Sequence, residues 1–414
     1  MPGVAKLVSP VRVLSVIHPF RPLFSGEGEW WVRLVPFLRA RGVEVEILTS
    51  SSEGGGSPVI PEIVEGIPVH RVRLPPAPPS YWSCLRRIGG TMMALIRRRS
   101  RFDVVLFHGP NLDTVYPTCL VGRLFGWKTV YKMTLFRSDD LLSIRQSGRF
   151  GRLRLAALHF ADGFISMSKV LVGRFADRTL VRGKLLLAPQ GVDIGKFRPA
   201  DAARKRAVRG QLGLSDGARV VLFCGAVVHR KGVDILLEAW CQIRAHLPDG
   251  VLLLVGPNHH DGLMEEPEYR SFSEAVERRT RESDLAGSVR LLGYQRETDR
   301  FYAAADVFAF PSRSEGWPSV LMEAMASGLP CVVSPLDGAS AEHFRDGEEG
   351  VIAKSEDPSE YAGHILRLLT DLDLARRIGA RARTRAEAGY GSERVADRYA
   401  AFLRGLVQTP PAAP

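Results

Sequence analysis

The chain has 414 residues, which is long enough for two domains that each bury an apolar core. Apolar residues make up 45% and charged residues 24%, and this mixture excludes a disordered, fibrous or membrane-spanning protein. The net charge of the chain is +11, but residues 1–190 alone hold 27 lysines and arginines against 13 aspartates and glutamates, a balance of +14. This excess predicts an anionic partner for the first half.

Strand patterns alternate with helical patterns from the N-terminus onward. The apolar run VRVLSVI at 11–17 is followed by a glycine-containing turn and a helical pattern at 30–40. Further strands are predicted at 43–49, 104–107, 129–133 and 164–167. After a Gly- and Pro-rich break the pattern restarts, with strands at 220–224, 251–255, 289–292 and 307–310 and a helix at 233–246. This alternation predicts an α/β fold of two Rossmann-like lobes with doubly wound parallel sheets.

The break at 188–199 sets the expected domain boundaries. We expect a first domain at 1–190, a second at 200–385, a C-terminal helix at 386–408 that crosses back to the first domain, and a disordered tail at 409–414. Ligands of open parallel sheets bind beyond the carboxyl ends of the strands. Two lobes that face a cleft would therefore hold a substrate between them.

Cysteine usage and the N-terminus bear on the compartment. The five cysteines lack a Cys-x-x-Cys spacing, which favours buried reduced thiols over a disulfide or metal role. No apolar run approaches about 18 residues, and no signal-peptide pattern opens the chain. We expect a cytoplasmic protein, and the basic first half leaves open a peripheral position on the inner face of the membrane.

The strongest motif is SRSEGWPSVLMEAMASGLPCVVS at 312–334, directly after a predicted strand. Glu315 falls in the strand-to-helix loop, Pro318 marks the helix start and Gly328 its end. Glu323 lies one turn into the helix and can point to the same side as Glu315. A carboxylate accepts two hydroxyl hydrogen bonds, which suits a ribose diol or a sugar.

Two further features suit a diphosphate. The first-turn amides of the predicted helix are free to bind an anion and belong to Ser319, Val320 and Leu321. In FCGAVVHRKGVDILLEAW at 223–240, Arg230 and Lys231 follow a strand end, where adjacent cations can stabilise the charge of a leaving diphosphate.

The first half contributes weaker signals. Gly26 and Gly28 are expected between the first strand and its helix, but the last glycine of Gly-x-Gly-x-x-Gly is missing. His108 follows the strand of FDVVLFHGPN, although a lone histidine is often structural. No Asp-x-Asp preceded by an apolar strand occurs in the second half, so the sequence requires no metal.

Glu-x7-Glu in this setting resembles the retaining glycosyltransferases of family 4, which have the two-lobed GT-B architecture. The resemblance implies that Glu315 contacts the transferred sugar and that Glu323 contacts the ribose of a nucleotide-sugar donor. It also implies that Arg230 and Lys231 clamp the donor phosphates. Further implied contacts are the transferred sugar for His108, the diphosphate side for the backbone at Gly26 and Gly28, and the base-binding loop for Gly293 and Tyr294.

The resemblance implies transfer, with retention, from an NDP-sugar to a hydroxyl of an acceptor glycan or lipid-linked sugar. We expect no cofactor. Two departures from the family pattern leave contacts unassigned: Ala226 stands where family members often have arginine, and PLDGASAEHF at 335–344 replaces a glycine-rich turn ending in Pro-Glu.

The alternatives to a glycosyltransferase are a catalytically silent nucleotide-sugar-binding subunit and an NDP-sugar epimerase. Nucleic acid is not an expected partner, because aromatic-interleaved basic motifs are absent.

The segment LRRIGGTMMALIRRRSR at 85–101 carries an apolar helical face between arginines. That face comprises Leu85, Ile88, Met92, Leu95 and Ile96. It predicts either docking on anionic lipid or an ordinary packed surface helix.

Overall fold

The computed structural model describes residues 9–51, 61–72, 81–109, 112–135, 140–146, 150–173, 185–263, 267–336 and 340–408. The chain forms two compact units, one of residues 1–190 with 393–414 and the other of residues 191–392. The tail predicted at 409–414 lies outside the described residues. Across the described ranges, no helix is both long enough and apolar enough to cross a membrane.

The strands are β1 (Val11–Ile17), β2 (Val43–Ser50), β3 (Glu62–Val64), β4 (Ile67–Val72), β5 (Val104–His108), β6 (Lys128–Met133), β7 (Gly163–Ser166), β8 (Leu185–Leu187), β9 (Val220–Cys224), β10 (Val251–Val255), β11 (Val289–Leu291), β12 (Val307–Phe310), β13 (Cys331–Val333) and β14 (Val351–Ile352).

The helices are α1 (Gly26–Arg39), α2 (Tyr81–Arg97), α3 (Leu112–Phe125), α4 (Leu141–Gln146), α5 (Gly151–Leu158), α6 (Lys169–Gly173), α7 (Ala202–Gln211), α8 (Val233–Arg244), α9 (Pro267–Thr280), α10 (Asp299–Ala304), α11 (Ser319–Ala326), α12 (Ser340–His343), α13 (Pro358–Thr370), α14 (Leu372–Gly389) and α15 (Ser392–Gln408).

Each unit is built on one sheet. In the first unit the strand order is β3-β4-β2-β1-β5-β6-β7-β8, and only the β3–β4 pair is antiparallel. In the second unit the order is β11-β10-β9-β12-β13-β14, all parallel. The strand order reverses direction between β1 and β5 and between β9 and β12. Because ligands of doubly wound sheets bind at such switch points, the loops after these four strands are the places to look for a site.

The parallel strands are apolar on both faces because helices cover both faces of the sheet. All five residues of β9 and all four of β12 are buried. In the first unit, Trp31 of α1 is fully buried beside Val395 and Tyr399 of α15. The end of the chain therefore contributes to the core of the first unit.

The largest differences between the structure and the predicted elements are in three places. Helix α1 begins at Gly26, four residues earlier than expected, because Ser25 caps it and its hydroxyl accepts a hydrogen bond from the Gly28 amide at 3.2 Å. Residues 386–389 belong to α14, and the helix that returns to the first unit begins at Ser392. The short strands β3, β4, β8, β13 and β14 were not predicted, since two to six residues carry little periodicity.

Candidate active site

The site in the second unit depends on a glycine that brings two loops together. Gly232 has a φ of +69° and ends a short 3-10 turn that carries Arg230 and Lys231. A Cβ at this position would lie 2.0 Å from the carbonyl oxygen of Pro311. Only glycine tolerates both the left-handed backbone and this approach. The loop after β9 therefore lies directly against the loop after β12.

Hydrogen bonds fix this contact between the two loops. The Arg313 amide donates to the Arg230 carbonyl at 2.8 Å, and the Arg230 guanidinium donates to the Ser314 carbonyl at 2.6 Å. Arg313 also donates to the His229 carbonyl at 2.6 Å and forms an ion pair with Asp234 at 2.8 Å. Sequence reasoning missed Arg313, because no local pattern reveals that it joins the two loops.

Glu315 is the centre of a buried ionic cluster. Its Oε1 accepts hydrogen bonds from Lys231 Nζ at 2.5 Å, Ser312 Oγ at 2.6 Å and Arg230 Nη1 at 3.0 Å. The Glu315 side chain is 8% exposed and that of Lys231 is 13% exposed, whereas that of Arg230 is 41% exposed. The structure thus joins three of the predicted residues, Glu315, Arg230 and Lys231, in one cluster with an accessible guanidinium.

The cluster shifts the proton affinities of its members. Burial alone would raise the pKa of Glu315, but the charges on Lys231 and Arg230 hold this pKa below its ordinary value. Burial lowers the pKa of Lys231, and the charge on Arg230 adds to this shift while Glu315 opposes it. Glu315 is consequently a carboxylate, able to accept but not donate hydrogen bonds at neutral pH.

Helix α11 begins at Ser319, as predicted. Because it follows the loop after β12, its N-terminus lies at the carboxyl end of that strand. Its N-cap residue is Pro318, whose side chain has no hydrogen-bonding group, so this residue does not cap the first-turn amides of α11. The prediction that three first-turn amides are free is wrong for Leu321, whose N–H donates to the Pro318 carbonyl at 3.0 Å. The Leu321 amide is thus satisfied within the first turn, and Ser319 and Val320 remain as the predicted anion-binding amides.

Glu323 lies on α11 and is 3% exposed. Its Oε2 accepts a hydrogen bond from the hydroxyl of Tyr302 at 2.9 Å. Burial raises the pKa of Tyr302 well above its ordinary value, so this hydroxyl keeps its proton and remains a donor. Tyr302 was not singled out from the sequence. Contact between Glu323 and a ribose stays a prediction.

Gly293 and Tyr294, the expected base-binding residues, follow β11. Gly293 has a φ of +67°, and its carbonyl accepts the Gly256 amide at 2.9 Å. The Tyr294 amide donates to Asp261 Oδ2 at 3.1 Å, and the same oxygen accepts the Asn258 amide at 2.9 Å. Asp261 thereby ties this loop to the segment after β10, a role that the sequence did not reveal.

A second ionic cluster lies in the first unit. Glu27 Oε1 accepts hydrogen bonds from Lys132 Nζ at 2.5 Å and is 2.6 Å from His108 Nδ1, while Oε2 accepts from Gln190 at 2.8 Å. Burial would raise the pKa of Glu27, but Lys132 and His108 lower it to about 2. The structure places His108 in this buried cluster, and its contact with a transferred sugar stays a prediction.

The glycines predicted for a loop lie instead in the first turn of α1. The Gly28 amide already donates to Ser25, and a Cβ at Gly28 would approach Phe20 at 3.1 Å. A Cβ at Gly26 would meet nothing within 4 Å. The expected glycine loop is therefore helical, because Ser25 is a favourable N-cap residue. Backbone binding of a diphosphate at Gly26 and Gly28 remains a prediction.

His343 is a further residue near Glu315 that the sequence did not indicate. It is completely buried, stacks edge-on against Trp317 with ring centroids 4.3 Å apart, and has no hydrogen bond to either ring nitrogen among the described residues. Burial lowers the pKa of His343 to about 3, so its imidazole is neutral. Glu342, beside it in α12, has its carbonyl oxygen 3.2 Å from the Arg385 guanidinium.

Comparison with known proteins places this chain in a family. Residues 204–385 match the model of glycosyl transferases group 1, and residues 25–191 match the glycosyl transferase 4-like domain. The D-inositol 3-phosphate glycosyltransferase of Nocardioides is 33% identical over 90% of this chain and 85% of that relative. The D-inositol 3-phosphate glycosyltransferase 2 of Catenulispora acidiphila is 29% identical over 83% of this chain and 82% of its own length. The Nocardia farcinica enzyme is 31% identical, and the matched part spans about half its length, 48%.

Solved structures show the same fold. Anabaena HepE in complex with UDP and glucose superposes with a TM-score of 0.74 at 18% identity and covers 95% of this chain and 99% of its own. Sucrose-phosphate synthase from Thermosynechococcus elongatus gives 0.75 at 22% identity over 96% and 99% of the two chains. The expected fold is confirmed. The chain is a glycosyltransferase of family 4 with the GT-B fold.

Proposed function

We propose that this glycosyltransferase transfers a sugar, with retention, from an NDP-sugar to an acceptor hydroxyl, and that the Glu315 cluster binds the reacting end of the donor. The single observation that carries the proposal is the convergence of Lys231, Arg230 and Ser312 on one oxygen of Glu315. Among the described residues these bonds all go to Oε1, which leaves Oε2 for a sugar hydroxyl.

The cations of the cluster supply what a departing diphosphate needs. As the sugar–phosphate bond breaks, negative charge grows on the diphosphate, and groups that bind this charge more strongly in the transition state lower the barrier. The accessible guanidinium of Arg230 and the ammonium of Lys231 meet this requirement together with the amides of Ser319 and Val320. The reaction then needs no metal to neutralise the diphosphate.

The first unit would hold the acceptor. Several relatives are named D-inositol 3-phosphate glycosyltransferases, and a phosphorylated acceptor agrees with the excess of basic residues before residue 190. The acceptor we propose is accordingly an anionic polyol or a lipid-linked sugar. Its hydroxyl attacks the face that the diphosphate leaves, and the diphosphate takes the proton.

The membrane-docking face predicted on α2 needs revision. Leu95 is fully buried, and Met92 and Ile96 pack against the core, so this side holds the helix to the sheet. Among the described side chains of α2, the large apolar ones that remain exposed are Trp82 (72%), Met93 (50%) and Leu85 (40%). Aromatic and apolar side chains beside arginines suit an anionic bilayer interface, and we propose that these residues bind it.

Liposome sedimentation tests the docking proposal. The wild-type chain should sediment with anionic vesicles, less so at high salt, and Trp82→Ser should reduce the bound fraction. Leu372→Ser, which changes another exposed apolar residue in the second unit, is the control. Binding that is absent, or equal in both variants, rejects docking through α2.

Donor and reaction are tested in two steps. UDP-, GDP- and ADP-sugars are first screened for thermal stabilisation, since a ligand of the folded state raises its melting temperature. Release of nucleoside diphosphate is then measured with and without D-inositol 3-phosphate. Acceptor-dependent release with an anomeric NMR spectrum that shows the donor configuration supports the proposal. Stabilisation without release indicates a silent subunit or, if a second NDP-sugar appears in the NMR spectrum, an epimerase. Release without an acceptor indicates hydrolysis of the donor.

A further inference from the structure

Two consecutive histidines in the segment after β10 converge on one carboxylate of α9. His259 Nε2 lies 3.0 Å and His260 Nε2 lies 2.9 Å from the same oxygen, Oε2 of Glu277. The two imidazole ring centroids are 3.8 Å apart, and the ring planes are tilted by 40°. The donor atoms of all three residues lie within 4.8 Å of one another. Neighbouring residues of an extended chain point to opposite sides, so this convergence requires a built turn.

The turn that aims the histidines is held by its own hydrogen bonds. Asp261 Oδ2 accepts the Asn258 amide at 2.9 Å, and the Asn258 side chain accepts the His260 amide at 2.9 Å. Ser273 of α9 fixes the other side of the first ring, because its Oγ lies 3.0 Å from His259 Nδ1 and 3.1 Å from the His259 amide. This contact orients His259 Nε2 toward Glu277, in the way that outer hydrogen bonds orient metal-bound histidines.

Exposure differs among the three side chains in a way that suits an ion reached from solvent. The His259 side chain is 8% exposed and that of Glu277 18%, whereas that of His260 is 61% exposed. The other carboxylate oxygen of Glu277, Oε1, is bound by Arg281. Oε2 is thus presented to the two histidines from a carboxylate that is anchored at its other end.

We propose that His259, His260 and Glu277 form a binding site for a zinc ion. Two imidazole nitrogens and one carboxylate oxygen are the ligand set of open zinc sites, in which water takes the fourth position. Tetrahedral bonds of about 2.0–2.1 Å place neighbouring ligand atoms about 3.3 Å apart. The observed spacing of Oε2 from the two nitrogens is a few tenths of an ångström shorter, so small side-chain movements admit the ion.

The zinc would join the segment after β10 to α9, and this connection has a structural consequence. Asp261 of the same segment also accepts the Tyr294 amide at 3.1 Å, so a fixed segment stabilises the loop of Gly293 and Tyr294. That this loop contacts the donor base rests on the proposed function. Zinc binding does not rest on it, and the two can fail separately.

The test measures zinc binding directly. The chain is stripped with a chelator, and zinc is titrated in competition with a chromophoric chelator for the wild type, His260→Ala, Glu277→Gln and His246→Ala. His260 is exposed, so its truncation spares the core, and Glu277→Gln keeps the shape of the side chain while removing its charge. His246, an exposed histidine after α8, is the matched control. Ser273→Ala probes the orientation of His259.

The wild type and His246→Ala should each bind about one zinc per chain and melt at a higher temperature with zinc than without it. His260→Ala and Glu277→Gln should bind zinc at least about tenfold more weakly, and Ser273→Ala should lose roughly tenfold, the size of effect known for outer-sphere partners. Zinc affinity that is equal in the wild type and in His260→Ala and Glu277→Gln overturns the proposal, as does a wild type that takes up no zinc.

Discussion

The two units contain similar ionic clusters with different exposure. In the first unit, Glu27 is paired with Lys132 and His108, whose side chains are both 0% exposed. In the second, Glu315 is paired with Lys231 at 13% and with Arg230 at 41% exposure. The first is called the closed cluster because both partners of Glu27 are fully buried, although Glu27 itself is 14% exposed, and the charges compensate one another inside the unit. The second, the open cluster, presents a cation to solvent. The comparison teaches that two glutamates paired with cations after switch-point strands can differ in whether a cation is accessible.

Removal of Glu27 should have the largest effect on stability. Glu27→Ala leaves the buried ammonium of Lys132 without its counter-charge, and breaking a buried ion pair in this way costs about 3–5 kcal/mol of unfolding free energy. Glu44→Ala, at an exposed position on β2, should change it by less than about 0.5 kcal/mol. Urea denaturation measures both. Equal stability of the two variants would show that the closed cluster does not support the first unit.

The same cluster should make stability fall in acid. The folded-state pKa of Glu27 is lowered from 4.5 to about 2, so its contribution is complete above about 4.5 and is lost as the pH falls from there through about 2. Such a shift corresponds to about 3 kcal/mol. Glu27→Gln cannot titrate and should show a correspondingly smaller loss over this range. If the unfolding free energies of the wild type and Glu27→Gln, measured by urea denaturation, changed in parallel with pH, the lowered pKa given to Glu27 would be contradicted.

Gly232→Ala should disturb the open cluster through the backbone. Its φ of +69° and the 2.0 Å approach of an added Cβ to the Pro311 carbonyl force the two loops apart, at a cost of roughly 1–3 kcal/mol in stability. Gly210→Ala, in α7 with open space around it, should be neutral or stabilising. Thermal melting compares the two. A Gly232→Ala variant as stable as Gly210→Ala would remove the role given to this contact.

Substitutions within the open cluster should act on turnover. Glu315→Gln and Lys231→Ala are each expected to lower turnover at least about tenfold, which adds about 1.4 kcal/mol to the barrier. The reasons are the lost contact with the sugar and the lost stabilisation of the diphosphate. Steady-state release of nucleoside diphosphate measures the effect, with the exposed Glu348→Gln as control. Near-normal turnover in both variants rejects this site.

The sequence revealed the members of the open cluster because they lie in two recognisable motifs, although 84–85 residues separate Lys231 and Arg230 from Glu315. Glu315 lies eight residues before Glu323 within one strand–loop–helix motif, and Arg230, Lys231 and Gly232 are adjacent. The closed cluster escaped because Lys132 and Gln190, which lie 105 and 163 residues from Glu27, belong to no motif that marks them as its partners. The order of the strands in the sheet brings these residues together, and the sequence alone does not reveal that order. Likewise, His108 was recognised by its place after a strand, but its buried partners were not.

The predicted strands and helices likewise agree with the structure where local sequence determines them. Strands β1, β9, β10 and β12 have the predicted bounds because they are continuous apolar runs. The start of α1 was misplaced, because glycines at 26 and 28 suggest a loop whereas the Ser25 cap determines the helix start. The apolar side of α2 was visible in the sequence, but which partner covers it depended on the tertiary packing of Leu95.

The central claim is that the open cluster, and not the closed one, binds the donor diphosphate. Calorimetric titration of the nucleoside diphosphate released in the reaction tests it most directly, in the wild type, in Arg230→Ala with Lys231→Ala, in Glu27→Gln and in the exposed control Lys354→Ala. We predict that the double variant loses at least about tenfold in affinity, the equivalent of about 1.4 kcal/mol, while Glu27→Gln and Lys354→Ala bind as the wild type does. Undiminished affinity in the double variant, or a loss in Glu27→Gln of the same size, would contradict the account.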